Sequence, residues 1–326
     1  MLSRGGVSSF SGREFKLSPS LPAIPPGQVP VSSFSGREFK LSWQGFSLEL
    51  GGDNPPCIMG IINTTPDSFS DGGRFLAIED AVSHGIALAE QGADILDIGG
   101  ESSRPFARPV SSREEMDRVV PVIEKLAKCV DLPISIDTVK AEVAEAALNA
   151  GAAIINDISA MERDPDMMAI AVKRGVPVVM MHMKGTPATM QLNPCYDDFL
   201  QEVTDYLEQR AESAVRAGIE PQNIILDPGI GFGKTVEHNI MLISRLDKIS
   251  ALGFPVLMGP SRKSFISKTL SRKRGRDIAT VSKETESGTM GAVAACIMNG
   301  THIVRVHDVA SARAVADIVH EIRCLH

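Results

Sequence analysis

The chain has 326 residues, 43% hydrophobic and 22% charged, which is enough for one large soluble domain or two ordinary ones. Its net charge of -7 argues against nucleic acid as the main partner, and no apolar run is long enough to span a membrane. The five cysteines are scattered without C-x-x-C spacing, which indicates neither a disulfide framework nor a zinc site and favours a reducing, cytoplasmic location.

The first 45 residues contain an internal duplication. The segment VSSFSGREFKLS occupies 7–18 and again, identically, 31–42, with a proline-rich spacer between the copies. Because this region is rich in Ser, Gly and Pro, we predict that 1–45 is a largely disordered extension and that the folded domain spans 46–326. A targeting peptide is the alternative, although Glu14 and Glu38 are unusual in a transit peptide.

From Cys57 onward, short β-rich apolar runs alternate with amphipathic helical stretches. Apolar residues at helical spacing predict helices at 78–91 and 114–128, and a last helix at 311–323 completes the set. Eight βα units over about 270 residues favour a closed parallel (β/α)8 TIM barrel, because right-handed crossovers place every helix outside the sheet. An open, doubly wound α/β sheet is the alternative. The predicted strands are 57–62, 93–98, 133–137, 152–156, 177–182, 223–227, 255–259 and 302–306.

Nearly every predicted strand ends in polar residues, whereas the strand starts carry no comparable cluster. In a barrel the carboxyl ends of the strands meet at one mouth, where the loops build active sites. A single Asp at such a position is as often a helix N-cap, but so many polar strand ends are hard to obtain from capping alone. The pattern therefore predicts an enzyme. The residues are Asn63, Asp97, Glu101, Asp137, Asn156, Asp157, His182, Asp227, Ser261, Lys263, Arg305 and His307.

The predicted mouth has two chemically different halves. Buried acids beside an amide suit a flat heterocycle rich in N–H donors, and a cationic group suits phosphate. The hydroxyl-rich loop at 63–75 is predicted to close over the mouth and to help bind a divalent cation through oxygen ligands. The acidic half consists of Asp97, Asp137, Asn156 and Asp227. The cationic half consists of Ser261, Arg262, Lys263, Arg305 and His307.

The stretch DPGIGFGKT at 227–235 ends like a nucleotide-binding loop. A P-loop needs glycine where Pro228 stands, because consecutive N–H groups wrap the phosphates and proline has no N–H. The dinucleotide pattern G-x-G-x-x-G also fails, at Lys234. We therefore interpret the stretch as the end of a strand, in which Asp227 is the important residue and Lys234 is a bystander.

Seven stretches resemble, in order, the motifs of dihydropteroate synthase, a family of pterin-binding barrels in the folate pathway. The resemblance covers 57–308, and seven ordered motifs are highly specific. The stretches are MGIINTTPDSFSDGG, DIGGESSRP, ISIDT, INDIS, DPGIGFGK, GPSRKSFI and IVRVHDV.

The resemblance implies that the amine of p-aminobenzoate attacks the methylene of 6-hydroxymethyl-7,8-dihydropterin pyrophosphate, with Mg2+ assisting, to give 7,8-dihydropteroate and pyrophosphate. It also implies a homodimer. The implied pterin-binding residues are Asp97, Asp137, Asn156, Met181, Asp227, Lys263 and Arg305. The implied pyrophosphate-binding residues are Asn63, which is also the implied metal ligand, Arg305 and His307. The implied p-aminobenzoate-binding residues are Ser103, Arg104, Phe232 and Ser261.

The chain departs from the family pattern at three places. Ser103 stands where the family usually has Thr, and Thr64 replaces a commonly apolar residue. The segment 267–286 is longer and more basic than usual, so the family pattern does not predict its conformation beside Lys263.

Two other functions compete with this one. A pterin-dependent methyltransferase barrel would share the pterin half but would not need the first loop or the pair Arg305 and His307. A catalytically silent pterin-binding paralogue would be marked by lost loop residues, and none is lost here.

Overall fold

The computed structural model describes residues 37–65, 73–103, 108–187 and 189–325. Within them, no helix is both long and apolar enough to cross a membrane. The strands are β1 Phe39–Trp43, β2 Phe46–Leu50, β3 Cys57–Asn63, β4 Ile95–Gly99, β5 Ile134–Asp137, β6 Ile154–Asp157, β7 Val178–Met181, β8 Ile224–Asp227, β9 Leu257–Met258 and β10 Ile303–Val306. The helices are α1 Gly73–Glu90, α2 Ser112–Leu126, α3 Ala141–Ala150, α4 Met167–Arg174, α5 Phe199–Ala217, α6 Val236–Ser244, α7 Asp247–Ser250, α8 Ser264–Arg274, α9 Lys283–Met298 and α10 Val309–Cys324.

Strands β3 to β10 form one parallel sheet in the order β8-β7-β6-β5-β4-β3-β10-β9. A parallel bridge between Leu226 of β8 and Val256, just before β9, joins the two ends of this order. The eight strands and the barrel are therefore confirmed, and the open-sheet alternative is wrong. The strand interiors are buried, as expected of a sheet covered by helices outside and filled by side chains inside.

The first two strands form an antiparallel hairpin at the amino end of the barrel. Its two-residue turn at Gln44 and Gly45 has positive φ at both positions (44° and 88°), which matches the right-handed twist of the flanking strands. Leu41 and Leu50 are fully buried, and the Phe39 ring lies edge-on against His302, just before β10, at 5.2 Å. The hairpin thus covers the amino ends of the barrel strands.

The predicted boundary between a disordered extension and the folded domain, at residue 45, is wrong. Strand β1 begins in the second copy of the duplicated segment and ends one residue after it, and it buries alternate residues, Leu41 and Trp43, while Lys40 and Ser42 face solvent. This short apolar alternation does not stand out from the surrounding Ser- and Gly-rich sequence. The folded domain therefore begins earlier than predicted and includes Phe39. The first copy of the segment, and the prediction made for 1–36, lie outside the described residues.

The basic segment at 267–286 forms the end of α8, a connection and the start of α9. Arg272 pairs with Glu237, and both Arg274 and Arg276 pair with Glu284 at the surface. Cations at a helix carboxyl end also interact favourably with the helix dipole. These basic side chains are thus exposed, and those up to Arg274 lie in helix α8 rather than in a loop.

Candidate functional site

Four strand-borne side chains form a hydrogen-bonded cluster at the carboxyl mouth, which we call the carboxylate side: Asp97, Asp137, Asn156 and Arg305. Arg305 donates from Nε to Asp97 Oδ2 at 2.6 Å and from a terminal nitrogen to Asp137 Oδ2 at 2.7 Å. Asn156 donates from Nδ2 to Asp97 Oδ2 at 3.2 Å. Register explains the cluster, because Asp137 pairs with Gly99 on one neighbouring strand and with Asn156 on the other.

Charge on the carboxylate side is only partly balanced. Burial raises the pKa of Asp137 to about 7, with Arg305 opposing the shift and Asp97 adding to it. Burial acts to lower the pKa of Arg305, but Asp97 and Asp137 together raise it, so the guanidinium stays charged. Arg305 carries a fixed positive charge, and Asp137 is partly protonated near neutral pH. The net charge of the carboxylate side therefore lies between zero and -1. Such a site accepts N–H donors from a ligand.

The loop after β8 forms the opposite part of the mouth, which we call the glycine-loop side: Asp227 and the residues 228–234. Asp227 Oδ1 accepts from the Gly229 N–H at 2.7 Å, and burial raises the pKa of this carboxyl to about 6. Gly229 has a φ of 70°, and a Cβ there would lie 1.9 Å from the His182 carbonyl oxygen. Only glycine fits this close approach of the loops after β7 and β8.

An aromatic wall lies on the glycine-loop side. The Phe232 ring is buried in a small apolar cluster with Met181 and Met190. The Lys263 ammonium lies 3.9 Å from the centre of that ring, a cation–π contact. Burial lowers the pKa of Lys263 to about 8, with the Arg305 charge lowering it further.

The interpretation that DPGIGFGKT is not a phosphate loop is supported, because its amides serve the protein itself. The Gly231 N–H donates to Asn239 Oδ1 at 2.6 Å, and the Phe232 N–H donates to the Gly229 carbonyl at 3.0 Å. Lys234, interpreted from the sequence as a bystander to phosphate binding, has contacts within the protein. Its side chain is buried and its Nζ lies 2.8 Å from His182 Nδ1.

The predicted cationic half is divided in the structure. Arg305 points to Asp97 and Asp137, and Arg262 lies 4.0 Å from Glu286 at the partly exposed rim. Ser261 Oγ lies 2.9 Å from His307 Nδ1 and also accepts from the His307 N–H at 3.3 Å. The Ser261 hydroxyl is thus engaged with His307, which its sequence position did not indicate.

The remaining predicted residues lie on or near the loops after β3 and β4. Asn63 ends β3 and is in register with Gly99, which places it at the mouth. Thr64 donates from its N–H and hydroxyl to the Gly99 carbonyl, so this unusual residue ties the start of the first loop to β4. Ser103 follows β4. Arg104, and residues 66–72 of the predicted lid, lie outside the described residues.

Two groups near the mouth were not predicted as they are found. Asp157 was grouped with the mouth, but its carboxylate closes the turn after β6 by accepting from the Ser159 hydroxyl and N–H. Lys140 was not predicted to lie near the mouth. It binds Glu101 at 2.5 Å and also binds fully buried Glu115. This ion cluster anchors the loop that carries Ser103. A lysine before a helix gives no sequence signal for such a role.

A cavity of about 290 Å3 opens beside the glycine loop. Gly231 and Lys234 lie on one wall and Ser264 and Phe265, the first residues of α8, on another. Lys263, the N-cap residue of α8, makes no side-chain capping bond, and the Ile266 N–H donates to the Lys263 carbonyl, so the amides of Ser264 and Phe265 are the ones suited to an anion.

Comparison with known proteins agrees with this geometry. The family model for pterin binding enzymes matches residues 59–307. A dihydropteroate synthase of Synechocystis is 46% identical over 252 residues, covering 77% of this chain and 85% of that protein. The chain belongs to the dihydropteroate synthase family.

Solved dihydropteroate synthases have the same fold. The Yersinia pestis enzyme, determined with a sulfonamide drug complex, superposes with a TM-score of 0.79 at 39% identity, covering 87% of this chain and 99% of that one. The Xanthomonas albilineans enzyme with 4-aminobenzoic acid gives 0.78 at 40%, covering 88% and 99%. Members of this family are transferases of folate biosynthesis.

Proposed function

We propose that the barrel mouth binds 6-hydroxymethyl-7,8-dihydropterin pyrophosphate along the carboxylate side and Asp227, binds p-aminobenzoate along residues 228–234 of the glycine-loop side, and joins them. As a dihydropteroate synthase, the chain releases pyrophosphate and gives 7,8-dihydropteroate. The observation that carries the assignment of sides is the Arg305 guanidinium, held at 2.6 Å from Asp97 and 2.7 Å from Asp137 beside Asn156.

The pterin ring suits the acids of the mouth. Its amino group and ring N–H groups are donors, and the carboxylates of Asp137 and Asp227 are acceptors whose burial raises their pKa values, so a hydrogen-bonding ligand relieves a buried charge. Asn156 can both donate and accept. Met181, almost fully buried, supplies an apolar contact, and Lys263 a further donor at the pterin edge.

The reaction needs no strong base, because an aromatic amine is already a nucleophile at neutral pH. The C–O bond to pyrophosphate breaks, the leaving group takes the electron pair, and the amine nitrogen forms the new C–N bond and then loses a proton. We infer that Arg305 and His307 stabilise charge that builds on the leaving group. The carboxylates hold an electron-rich pterin that delocalises the cationic methylene, which favours a dissociative path.

Mg2+ fits the donor set of the mouth as a partner of the pyrophosphate. Within the described residues, no group of three His, Cys, Asp or Glu side chains forms a metal cage. Mg2+ commonly takes only one or two protein oxygens together with water and phosphate oxygens, and Asn63 offers one at the mouth. When bound, the ion would supply further positive charge to the leaving group.

p-Aminobenzoate suits the other side. The Phe232 ring gives a face for the benzene ring, and the cavity beside Gly231 leads to the uncapped amides of α8, which suit the carboxylate. Ser103 and Arg104 are assigned to the same substrate through the family motif alone. A Xanthomonas albilineans relative was solved with this compound, which supports the assignment.

We further propose a cytoplasmic homodimer. All five cysteines are free, as expected in a reducing compartment. Helix α10 exposes Ile318 and Ile322, one turn apart, and α9 exposes Met298; large exposed apolar residues of this kind suit a contact with a second copy.

One assay tests these proposals. The full chain is mixed with dihydropterin pyrophosphate, p-aminobenzoate and Mg2+, and release of pyrophosphate and formation of dihydropteroate are followed. We expect release that depends on both substrates and stops with EDTA. Tight pterin binding without release would instead indicate a silent paralogue. Light scattering on the same sample measures whether one or two chains travel together.

A further inference from the structure

Lys234, the lysine of the Gly-Lys-Thr triplet, is buried between two loops of the mouth. Its Nζ donates to His182 Nδ1 at 2.8 Å, to the Phe232 carbonyl at 3.0 Å and to the His182 carbonyl at 3.4 Å. An ammonium has three N–H groups, so each one has an acceptor. In the described part of the chain no carboxylate lies within salt-bridge distance of it, and Asp227 attracts it at longer range. The direct contacts of the buried charge are therefore carbonyl dipoles and an imidazole.

The two loops approach each other backbone to backbone. A Cβ on Gly229 would lie 1.9 Å from the His182 carbonyl oxygen, and one on Gly233 would lie 2.4 Å from the Lys184 carbonyl oxygen. The carbonyls of His182 and Phe232 converge on one point, where they would repel each other without a donor between them. The Lys234 ammonium occupies that point, and so joins the loop after β7 to the loop after β8.

The loop after β8 carries the Phe232 ring, which is assigned above to the second substrate. Phe232 supplies both this ring and a carbonyl to Lys234, and the ring packs against Met181, the residue before His182 in the other loop. We propose that Lys234 is a positioning residue for p-aminobenzoate: by binding the carbonyls of His182 and Phe232, it fixes the Phe232 ring at the mouth. This inference rests on the proposed function, because the side of the mouth that binds p-aminobenzoate is assigned there.

The protonation state of His182 agrees with this arrangement, and Lys234 is mostly in the ammonium form below about pH 7. Burial, and then the charge of Lys234, lower the pKa of His182 to about 3, so the imidazole is neutral. Burial lowers the pKa of Lys234 to about 7, against the attraction of Asp227. A neutral ring whose Nδ1 accepts from the lysine carries its proton on Nε2.

A second contact to the same loop provides a matched control. The Tyr196 hydroxyl donates to the Gly233 carbonyl at 2.7 Å, one residue away from the carbonyl that Lys234 binds. Tyr196→Phe removes this neutral donor and leaves the carbonyls of His182 and Phe232 bound to Lys234. It separates the general effect of loosening the loop from the loss of the central cation.

The experiment compares Lys234→Met with wild type and Tyr196→Phe in steady-state kinetics. Methionine keeps the unbranched stem but has no donor. We expect the KM for p-aminobenzoate to rise about tenfold, as for loss of one charge-assisted hydrogen bond, and the KM for the pterin pyrophosphate to change by about twofold or less. Tyr196→Phe should change both constants by about twofold or less. The single tryptophan, Trp43, is buried in the hairpin at the far end of the barrel, so its fluorescence checks folding independently.

Equal changes in both KM values, or none, in folded Lys234→Met would overturn the proposal. If this variant does not fold, His182→Leu decides, because it keeps Lys234 and both carbonyls but has no side-chain acceptor. We then expect the KM for p-aminobenzoate to rise by a smaller factor, about threefold, and the KM for the pterin pyrophosphate to stay constant. Equal changes in both KM values would count against the positioning role. A wild-type chain that releases no pyrophosphate refutes the proposed function instead, so the two failures are distinct.

Discussion

The two sides of the mouth are held together in different ways. On the carboxylate side, side chains on neighbouring strands bind one another: Arg305 bridges Asp97 and Asp137, and Asn156 binds Asp97. On the glycine-loop side, one buried lysine binds backbone carbonyls of two loops, and glycines allow those loops to approach closely. The first side depends on strand register and the second on loop conformation.

This difference has consequences for ligand binding. The carboxylate side is rigid, because each of its side chains starts from a strand of the barrel, and its charges are set before a ligand arrives. The glycine-loop side is rigid only as long as Lys234 holds the His182 and Phe232 carbonyls. We therefore expect changes on the carboxylate side to affect the bond-breaking step most, and changes on the glycine-loop side to affect the affinity for one substrate.

The largest effect is expected for Arg305→Ala. Within the described residues, this change removes the cation that pairs with fully buried Asp97 and with Asp137. It also removes a cation that we propose acts on the leaving group. We expect turnover to fall tenfold or more, which corresponds to about 1.4 kcal/mol or more in the barrier. Steady-state pyrophosphate release measures it.

Arg305→Lys is the matched control for that prediction. It keeps a charge but cannot donate to Asp97 and Asp137 together in a planar fork, so we expect an intermediate rate. Unchanged turnover in Arg305→Ala would show that the bridge holds the mouth together without contributing to the reaction.

The sequence predicted the carboxylate side well for a physical reason. Apolar runs of strand length identified all eight barrel strands, and the barrel rule then placed Asp97, Asp137 and Asn156 at one mouth. It did not show that Arg305 points across to the two acids, because direction depends on strand register, and short buried runs do not reveal register.

The glycine-loop side was predicted less completely. The glycines identified a tight loop and Asp227 a strand end, but the partners of Lys234 are backbone carbonyls, which every residue has. The hairpin strand β1 was missed because three alternating apolar residues, Phe39, Leu41 and Trp43, are too few to stand out beside a Ser- and Gly-rich segment.

A second prediction uses pH to separate the two sides. Burial raises the pKa of Asp227 from an ordinary value of 3.8 to about 6, and that of Asp137 to about 7. Both folded values lie above the unfolded ones, so the folded chain holds protons that the unfolded chain has released, and stability falls as the pH rises through 4 to 7. Pterin affinity changes in the opposite direction, because the ligand needs ionised acceptors.

Pterin binding measured by calorimetry should therefore weaken as the pH falls below 7, and more steeply below 6, by up to about tenfold for each pH unit and each group. Asp227→Asn should remove the lower step and leave the upper one. Asp137→Asn should do the reverse. A wild-type affinity that is flat between pH 5 and pH 8 would contradict the role of both acids as ionised acceptors for the pterin.

The smallest effect is expected for Ser261→Ala, and it decides between two roles for that residue. The family resemblance places Ser261 at p-aminobenzoate, whereas its hydroxyl lies 2.9 Å from His307 Nδ1 and accepts from the His307 N–H. If its role is to orient the His307 ring, we expect the KM for the pterin pyrophosphate to rise by about threefold and that for p-aminobenzoate to stay constant. The opposite selectivity would favour the direct role. Ser261→Thr keeps the hydroxyl and should restore wild-type kinetics in either case, so only the direction of the change in Ser261→Ala distinguishes a residue that acts through His307 from one that contacts the second substrate.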